Sequence, residues 1–98
     1  MNQSIKLIAG LGNPGQQYAG TRHNVGAELV ATLARQCNVT LTSESRFHGS
    51  IARVTLSGTQ VRLLIPDTYM NHSGRSVAAV VNYYKIPVAE VLVVHDEL

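Results

Sequence analysis

Residues 10–24 constrain the fold of this chain more than any other stretch. Four glycines and a proline fix an unusual backbone path in this stretch, and Asn13 and His23 add polar chemistry near its two ends. The apolar run Ile5–Ala9 before it predicts a strand that is buried on both faces and central in a sheet. A pattern with a period of about 3.6 residues starts near Val25 and predicts a helix. A strand, an elaborate loop and a helix are typical of α/β proteins.

The middle of the chain predicts a β-hairpin. Residues Phe47–Leu56 and Gln60–Ile65 are rich in β-branched side chains, and the turn signal Ser57-Gly58-Thr59 lies between them. The first helix has a plausible stop at Asn38. The polar residues 40–46 that follow it predict a loop or a weak edge strand.

A second helix and a last strand complete the predicted elements. Apolar residues at helical spacing predict the helix, with Ser73 as its N-cap and Pro87 closing it. The run Val91–Val94 predicts a last strand that is buried on both faces, which requires helices above and below the sheet. Only two substantial helices are predicted, so we expect residues 1–98 to be a single α/β domain truncated after the strand 91–95. The expected fold is a mixed, largely parallel twisted sheet flanked by helices.

Composition narrows the class of protein. An apolar share of 45% and a charged share of 14% over 98 residues suit one small folded domain rather than a disordered chain. The net charge of +2 falls on the first half, which is compatible with a phosphate-bearing ligand and equally with a solvated surface. The lone Cys37 falls on the apolar side of the first helix, which favours a buried thiol. With no signal peptide and no membrane-length apolar run, we expect a cytoplasmic protein without a membrane partner.

Polar residues follow the ends of three predicted strands. Asn13 follows the first, Asn71 the strand that ends at Ile65, and Asp96 the last, while His23 precedes the first helix. Ligands of open α/β sheets bind beyond the carboxyl ends of parallel strands, so we expect these side chains to converge. A histidine oriented by an aspartate can act as a general base, and two asparagines can orient a carbonyl and a water molecule.

Simpler interpretations stay open for each member of this set. His23 is also compatible with an ordinary residue at a helix start, Asn13 with a turn residue before proline, and Asn71 with a helix cap. Asp96 is compatible with a plain polar residue after a strand. Only their shared placement at one sheet edge favours a catalytic site.

Two other site types are disfavoured by spacing. The run 10–15 satisfies the dinucleotide-binding glycine pattern, but that motif requires the helix to begin at once, and no acidic residue ends a second strand about twenty positions later. The four histidines lack metal-ligand spacing. We therefore expect neither a nucleotide cofactor nor a metal.

Three motifs resemble those of bacterial peptidyl-tRNA hydrolase. They are the segment 6–15 with Tyr18 and residues 21–26, the segment 66–74, and the segment 93–98. The resemblance runs nearly from end to end, and it implies hydrolysis of the ester bond between peptide and tRNA in prematurely released peptidyl-tRNA. It also implies a cytosolic monomer without a metal, a cofactor or an obligate protein partner.

The resemblance implies a role for each matching residue. His23 would activate water, Asp96 would hold His23 in its basic form, Asn71 would position substrate and water, and Asn13 would distinguish a blocked aminoacyl end from a free amino group. Tyr18 and Tyr69 would contact the acceptor end of the tRNA, and Met70 would line the peptide side of the cleft.

Departures from the family pattern leave an alternative open. The family domain is about twice as long, so later basic residues, a further asparagine, a covering loop and a C-terminal helix have no counterpart in this sequence. His72 stands where the family often has leucine. The alternative is a non-catalytic relative that keeps the fold as an RNA-binding module.

Overall fold

A computed structural model describes residues 4–12, 25–67 and 73–95 of the chain. The regular elements run in the order β1 (Leu7–Gly10), α1 (Val25–Gln36), β2 (Thr42–Glu44), β3 (Gly49–Leu56), β4 (Thr59–Pro66), α2 (Ser73–Tyr84) and β5 (Val91–Val94). One-turn 3-10 helices at Ser45–Phe47 and Val88–Glu90 precede β3 and β5. In the described residues, no helix is long and apolar enough to cross a membrane.

The five strands form one mixed sheet in the order β2-β3-β4-β1-β5. Strands β4, β1 and β5 are parallel, while β3 pairs antiparallel with both β2 and β4. The prediction of a mixed sheet flanked by helices is confirmed, and β1 is central as expected. Because the parallel strands share one direction, the carboxyl ends of β4, β1 and β5 lie at the same edge of the sheet.

The sheet separates two hydrophobic clusters, with one helix on each face. On the α2 face the buried residues are Leu7, Ala9, Phe47, Leu64, Val80 and Ile86. On the α1 face they are Val30, Ala34, Val54, Val61 and Leu63. Alternation along β4 explains this division, since Leu63 and Leu64 point to opposite faces of the sheet.

Both helices end in a left-handed residue followed by an apolar one, Val39 partly buried and Ile86 buried. Asn38 has φ 59°, and the backbone N–H of Val39 donates to the carbonyl of Ala34 at 3.0 Å. Lys85 has φ 55°, and the N–H of Ile86 donates to the carbonyl of Val81 at 3.0 Å. This six-to-one bond is the Schellman ending, which satisfies a carbonyl that the helix itself leaves unpaired. The predicted stop at Asn38 is confirmed.

The predicted hairpin is also confirmed. Leu56 pairs with Thr59, and the two turn residues Ser57 and Gly58 both have positive φ, 50° and 81°. Positive φ at both central positions is the type I′ pattern, whose twist matches that of the flanking strands. The start of the first hairpin strand differs, because Phe47 lies in a 3-10 helix and its ring packs in the α2-face cluster.

Two other element predictions need correction. Helix α2 begins at Ser73 itself, so this buried serine is the first helical residue rather than the cap before it. Strand β5 has its predicted bounds but is not buried on both faces: Leu92 is 44% exposed and Val93 41% exposed. The physical reason is position, since β5 pairs with β1 on one side and is the terminal strand of the described sheet.

Candidate functional site

The candidate site is the sheet edge where β4, β1 and β5 end. Register fixes this edge, because Gly10 pairs with Val94 and Ala9 pairs with both Val93 and Leu64. The backbone N–H of Leu11 then donates to the carbonyl of Val94 at 2.9 Å, which carries the pairing of β1 and β5 beyond their last ladder residues.

Helix α1 starts directly above these strand ends. The N–H of Ala27 donates to the carbonyl of Leu11 at 3.1 Å. A Cβ at Gly26 would meet the carbonyl of Val94 and lie 2.7 Å from that of Leu11, so only glycine allows this approach. A Cβ at Gly10 would likewise collide with the backbone of Gly26. Gly10 and Gly26 face each other and thus bring the start of the helix onto the ends of β1 and β5.

A second set of contacts ties α2 to the same edge beside β4. The buried hydroxyl of Ser76 donates to the carbonyl of Phe47 at 2.6 Å. The N–H of Asp67, the residue after β4, donates to the carbonyl of His48 at 2.8 Å. These bonds fix the end of β4 against the turn that precedes β3, and they set where the chain leaves the sheet toward residues 68–72.

An apolar groove of about 420 Å³ opens between α2 and β5 and reaches this edge. Its walls include Leu11, Ser73, Val77, Val81, Val88 and Val93. Val77 and Val81 belong to the apolar face that the helical spacing predicts for α2, and they are only partly buried. Helical spacing alone does not distinguish a core residue from a groove wall, so the sequence held no signal for this groove.

The seven predicted site residues, Asn13, Tyr18, His23, Tyr69, Met70, Asn71 and Asp96, lie outside the described residues. The described residues nearest to them in sequence do converge. The chain continues to those side chains from five points: two residues after β1 (Gly12), at the start of α1 (Val25), after β4 (Asp67), at the start of α2 (Ser73) and after β5 (His95). The predicted meeting of strand ends is therefore confirmed, while the catalytic roles of the side chains stay predictions.

The structure tests metal binding only for the residues that it describes. Among residues 4–12, 25–67 and 73–95, no group of three or more histidine, cysteine or acidic side chains is placed to hold a metal ion. Cys37 is half-buried and packs against the α1-face cluster, in line with a structural thiol. The expectation of a site without metal or cofactor stays a prediction.

Known proteins match the chain along nearly its whole length. A family model described as peptidyl-tRNA hydrolase matches residues 7–98. Peptidyl-tRNA hydrolase of Shewanella denitrificans is 61% identical over 95 residues, which are 97% of this chain and 49% of that protein. The Haemophilus influenzae protein of the same name is 55% identical over 94 residues, 96% of this chain and 48% of its own length. The chain thus spans about half the length of these curated relatives.

Solved structures give the same result for the fold. The crystal structure of peptidyl-tRNA hydrolase from Acinetobacter baumannii superposes with a TM-score of 0.91 at 46% sequence identity. The match covers 100% of this chain and 51% of that one. Sequence and structure therefore agree over the same stretch, and the chain belongs to the peptidyl-tRNA hydrolase family.

Proposed function

We propose that this protein hydrolyses the ester bond between peptide and tRNA in peptidyl-tRNA, and that residues 1–98 supply the catalytic edge. The observation that carries the proposal is the presence of His23, Asp96, Asn13 and Asn71 in a member of this family, directly beyond strand and helix ends that meet at one edge. A polar constellation at the carboxyl edge of a parallel sheet is where α/β enzymes perform their chemistry.

The chemistry that these residue types support is general-base hydrolysis. His23 takes a proton from water as the water oxygen attacks the ester carbonyl carbon, and Asp96 keeps the imidazole in the tautomer that accepts it. Asn71 orients the water and the carbonyl, with Asn13 reading the blocked amino end. Collapse of the tetrahedral intermediate breaks the bond to the ribose oxygen, which receives the proton from the imidazolium. The products are a free peptide and a tRNA with its terminal hydroxyl restored.

The acceptor end of the tRNA is proposed to contact aromatic side chains. Tyr18 and Tyr69 suit this role because unpaired terminal bases are commonly held on aromatic faces. Met70 lines the peptide side, where its flexible thioether accommodates varied side chains. The apolar groove between α2 and β5 opens at the same edge.

The proposal extends to the state of the protein. We propose that the product of the complete reading frame is a cytoplasmic monomer that needs neither cofactor nor obligate protein partner. We also propose that residues 1–98 form one α/β unit truncated after the strand 91–95. The exposed apolar surface of β5 and the half-length match to the relatives both support this interpretation.

Release of labelled peptide from an N-blocked peptidyl-tRNA tests the function. The 98-residue chain and the product of its complete reading frame are compared side by side, with tRNA binding measured in parallel. We expect release by the longer protein. Release by both would place the essential chemistry within residues 1–98, whereas retention of tRNA binding without release by either would favour the RNA-binding alternative.

A further inference from the structure

We propose that a strip of arginine and tyrosine side chains on the α2 face of the sheet binds the phosphate backbone of tRNA at a second contact, separate from the catalytic residues. The arginine–tyrosine strip consists of Arg46, Tyr83, Tyr84, Arg62 and Arg53. The identity of the RNA rests on the proposed function, since the tRNA is the body of the proposed substrate.

The centre of the strip is a pair of like charges. Arg53 and Arg62 are directly opposite each other in the antiparallel pairing of β3 and β4, so both side chains project from the same face. Like charges in this position destabilise a sheet. Among residues 4–12, 25–67 and 73–95, neither arginine makes an ion pair or a side-chain hydrogen bond. The two arginines therefore lack a counterion among the described residues, and a bound anion would supply one.

Carboxylates elsewhere in the described chain do not fill that role. Glu90 pairs with Lys6 at 3.4 Å, and Glu44 lies 4.0 Å from Arg46 at the far end of the strip. Glu28 lies on α1, across the sheet, and Asp67 lies at the catalytic edge after β4. Within residues 4–12, 25–67 and 73–95, no carboxylate therefore neutralises the exposed Arg53 or the half-buried Arg62.

Arg62 is held in place for binding. Its guanidinium carbon lies 3.6 Å from the centre of the Tyr84 ring, which is a stacked cation–π contact. Stacking uses the face of the guanidinium and leaves its in-plane N–H donors available for two parallel bonds to phosphate oxygens. A depression of about 240 Å³ lies between Arg53, Arg62, Tyr84 and Ile51. At roughly 30 Å³ per water molecule, this space accommodates a phosphate group.

The strip continues along α2 with two adjacent tyrosines and a third arginine. Tyr83 and Tyr84 meet edge to face with ring centres 4.8 Å apart, and the guanidinium of Arg46 lies 5.1 Å from the Tyr83 ring centre. Tyr83 is 57% exposed, so it presents ring surface to solvent. Guanidinium groups together with an exposed ring fit a nucleic-acid strand, which offers phosphates and bases side by side. The exposed Tyr83 ring favours RNA over an acidic protein surface, which offers carboxylates without bases.

The Arg53–Arg62 pair lies farther back along β3 and β4 than the candidate edge. Arg62 precedes the end of β4 at Pro66 by four residues, which is about 13 Å along a strand at roughly 3.3 Å per residue. A strand of a few nucleotides covers that distance. An acceptor end placed at the edge would therefore leave the following phosphates within reach of the strip.

The test is equilibrium binding of deacylated tRNA at several salt concentrations, with Arg53→Gln compared with Arg35→Gln. Both substitutions remove one exposed arginine charge, but Arg35 lies on α1 on the opposite face, bonded to Thr32. We expect Arg53→Gln to weaken binding about threefold to tenfold and to lower the salt slope by about one. Arg53→Gln should leave the thermal unfolding midpoint unchanged or higher, because it removes a like-charge pair.

The possible outcomes separate this proposal from the proposed function. Equal binding by Arg53→Gln and Arg35→Gln would overturn the strip, whatever the hydrolysis assay shows. Weaker binding by Arg53→Gln alone supports the strip, even if no peptide is released. An Arg53→Lys variant adds a second measurement: it keeps the charge but cannot form two parallel bonds, so it should recover the salt slope with only part of the affinity.

Discussion

At the residue scale, Gly26 fixes the geometry of the candidate site. Its missing side chain lets the first turn of α1 rest on the backbone of Leu11 and Val94. The same turn follows His23 by two residues, so any displacement of the helix start moves the proposed base relative to the strand ends. A packing position that does not itself contact the substrate can thus set the geometry of catalysis.

Replacing Gly26 with alanine is expected to lower the free energy of unfolding by about 2 kcal/mol or more, because the contact atoms are rigid backbone. The matched control is Gly74→Ala in the exposed first turn of α2, where an added Cβ meets nothing within 4 Å. That control should be neutral or stabilising by up to about 1 kcal/mol. Urea unfolding measures the free energy of unfolding of both variants. Equal effects at the two glycines would show that α1 does not press on the strand ends.

A second prediction at this scale concerns the proposed base. His23→Asn should reduce the rate of peptide release by about a hundredfold or more, since asparagine cannot take the proton from water. His48→Asn is the control, because His48 is exposed and has φ 54°, a conformation that asparagine tolerates well. Single-turnover hydrolysis and tRNA binding are measured for both variants in the complete protein. A near-normal rate for His23→Asn would remove this residue as the base.

At the residue scale, the sequence predicts some features of the site and not others. The placement of polar residues after strand ends predicts a shared edge from the sequence, and the described strand ends do meet there. The close approach that requires Gly26 has no sequence signal, because it depends on which backbone lies across from the glycine. The pairing of Arg53 with Arg62 likewise depends on the register of β3 against β4, which the strand patterns alone do not determine.

At the element scale, two substitutions in the turn between β3 and β4 should change the free energy of unfolding in opposite directions. Ser57 and Gly58 both have positive φ, and at the first position asparagine is preferred over serine in this turn type. Ser57→Asn should raise the free energy of unfolding by about 0.5 kcal/mol, whereas Gly58→Ala should lower it by about 1 kcal/mol. Neither change alters packing, since a Cβ at Gly58 meets nothing within 4 Å. Thermal unfolding of the two variants measures both signs, and a shift in the same direction would contradict the turn assignment.

The elements that local signals determine were predicted most closely. Helix α1, its stop at Asn38, the hairpin turn and the bounds of β5 follow from periodicity and turn chemistry. Segments whose structure depends on distant partners were less predictable. For residues 40–46 the sequence left a loop or a weak edge strand open, and the pairing of β2 with β3 decides for the edge strand. Phe47 leaves the expected strand because its ring packs beneath Tyr83 and Tyr84.

At the scale of the whole molecule, the two edges of the sheet differ in character. Strand β2 is three residues long and mostly exposed and polar, features that protect an edge from pairing with another chain. Strand β5 is entirely apolar, with Leu92 and Val93 more than 40% exposed beside the apolar groove. An apolar edge strand of this kind favours association between copies of a chain.

We therefore expect the 98-residue chain to associate as its concentration rises, through the β5 side of the sheet. Leu92→Lys should reduce that association, because a charged side chain on an edge strand opposes pairing. Thr42→Lys, which adds the same charge on β2 at the opposite edge, should not. Sedimentation velocity over a range of concentrations compares the three proteins, and an equal effect of both lysines would assign the change to net charge rather than to the β5 surface.

Leu92→Lys should be harmful rather than beneficial in the product of the complete reading frame. If the second half of the protein covers β5, as we propose for the truncated domain, Leu92→Lys buries a charge without a partner. It should then lower the free energy of unfolding by at least about 2 kcal/mol, while Thr42→Lys stays near neutral. A variant that improves the behaviour of the short chain and damages the long one would identify β5 as an internal strand of the whole domain. Insensitivity of the long protein to Leu92→Lys would instead leave β5 as an edge strand in both.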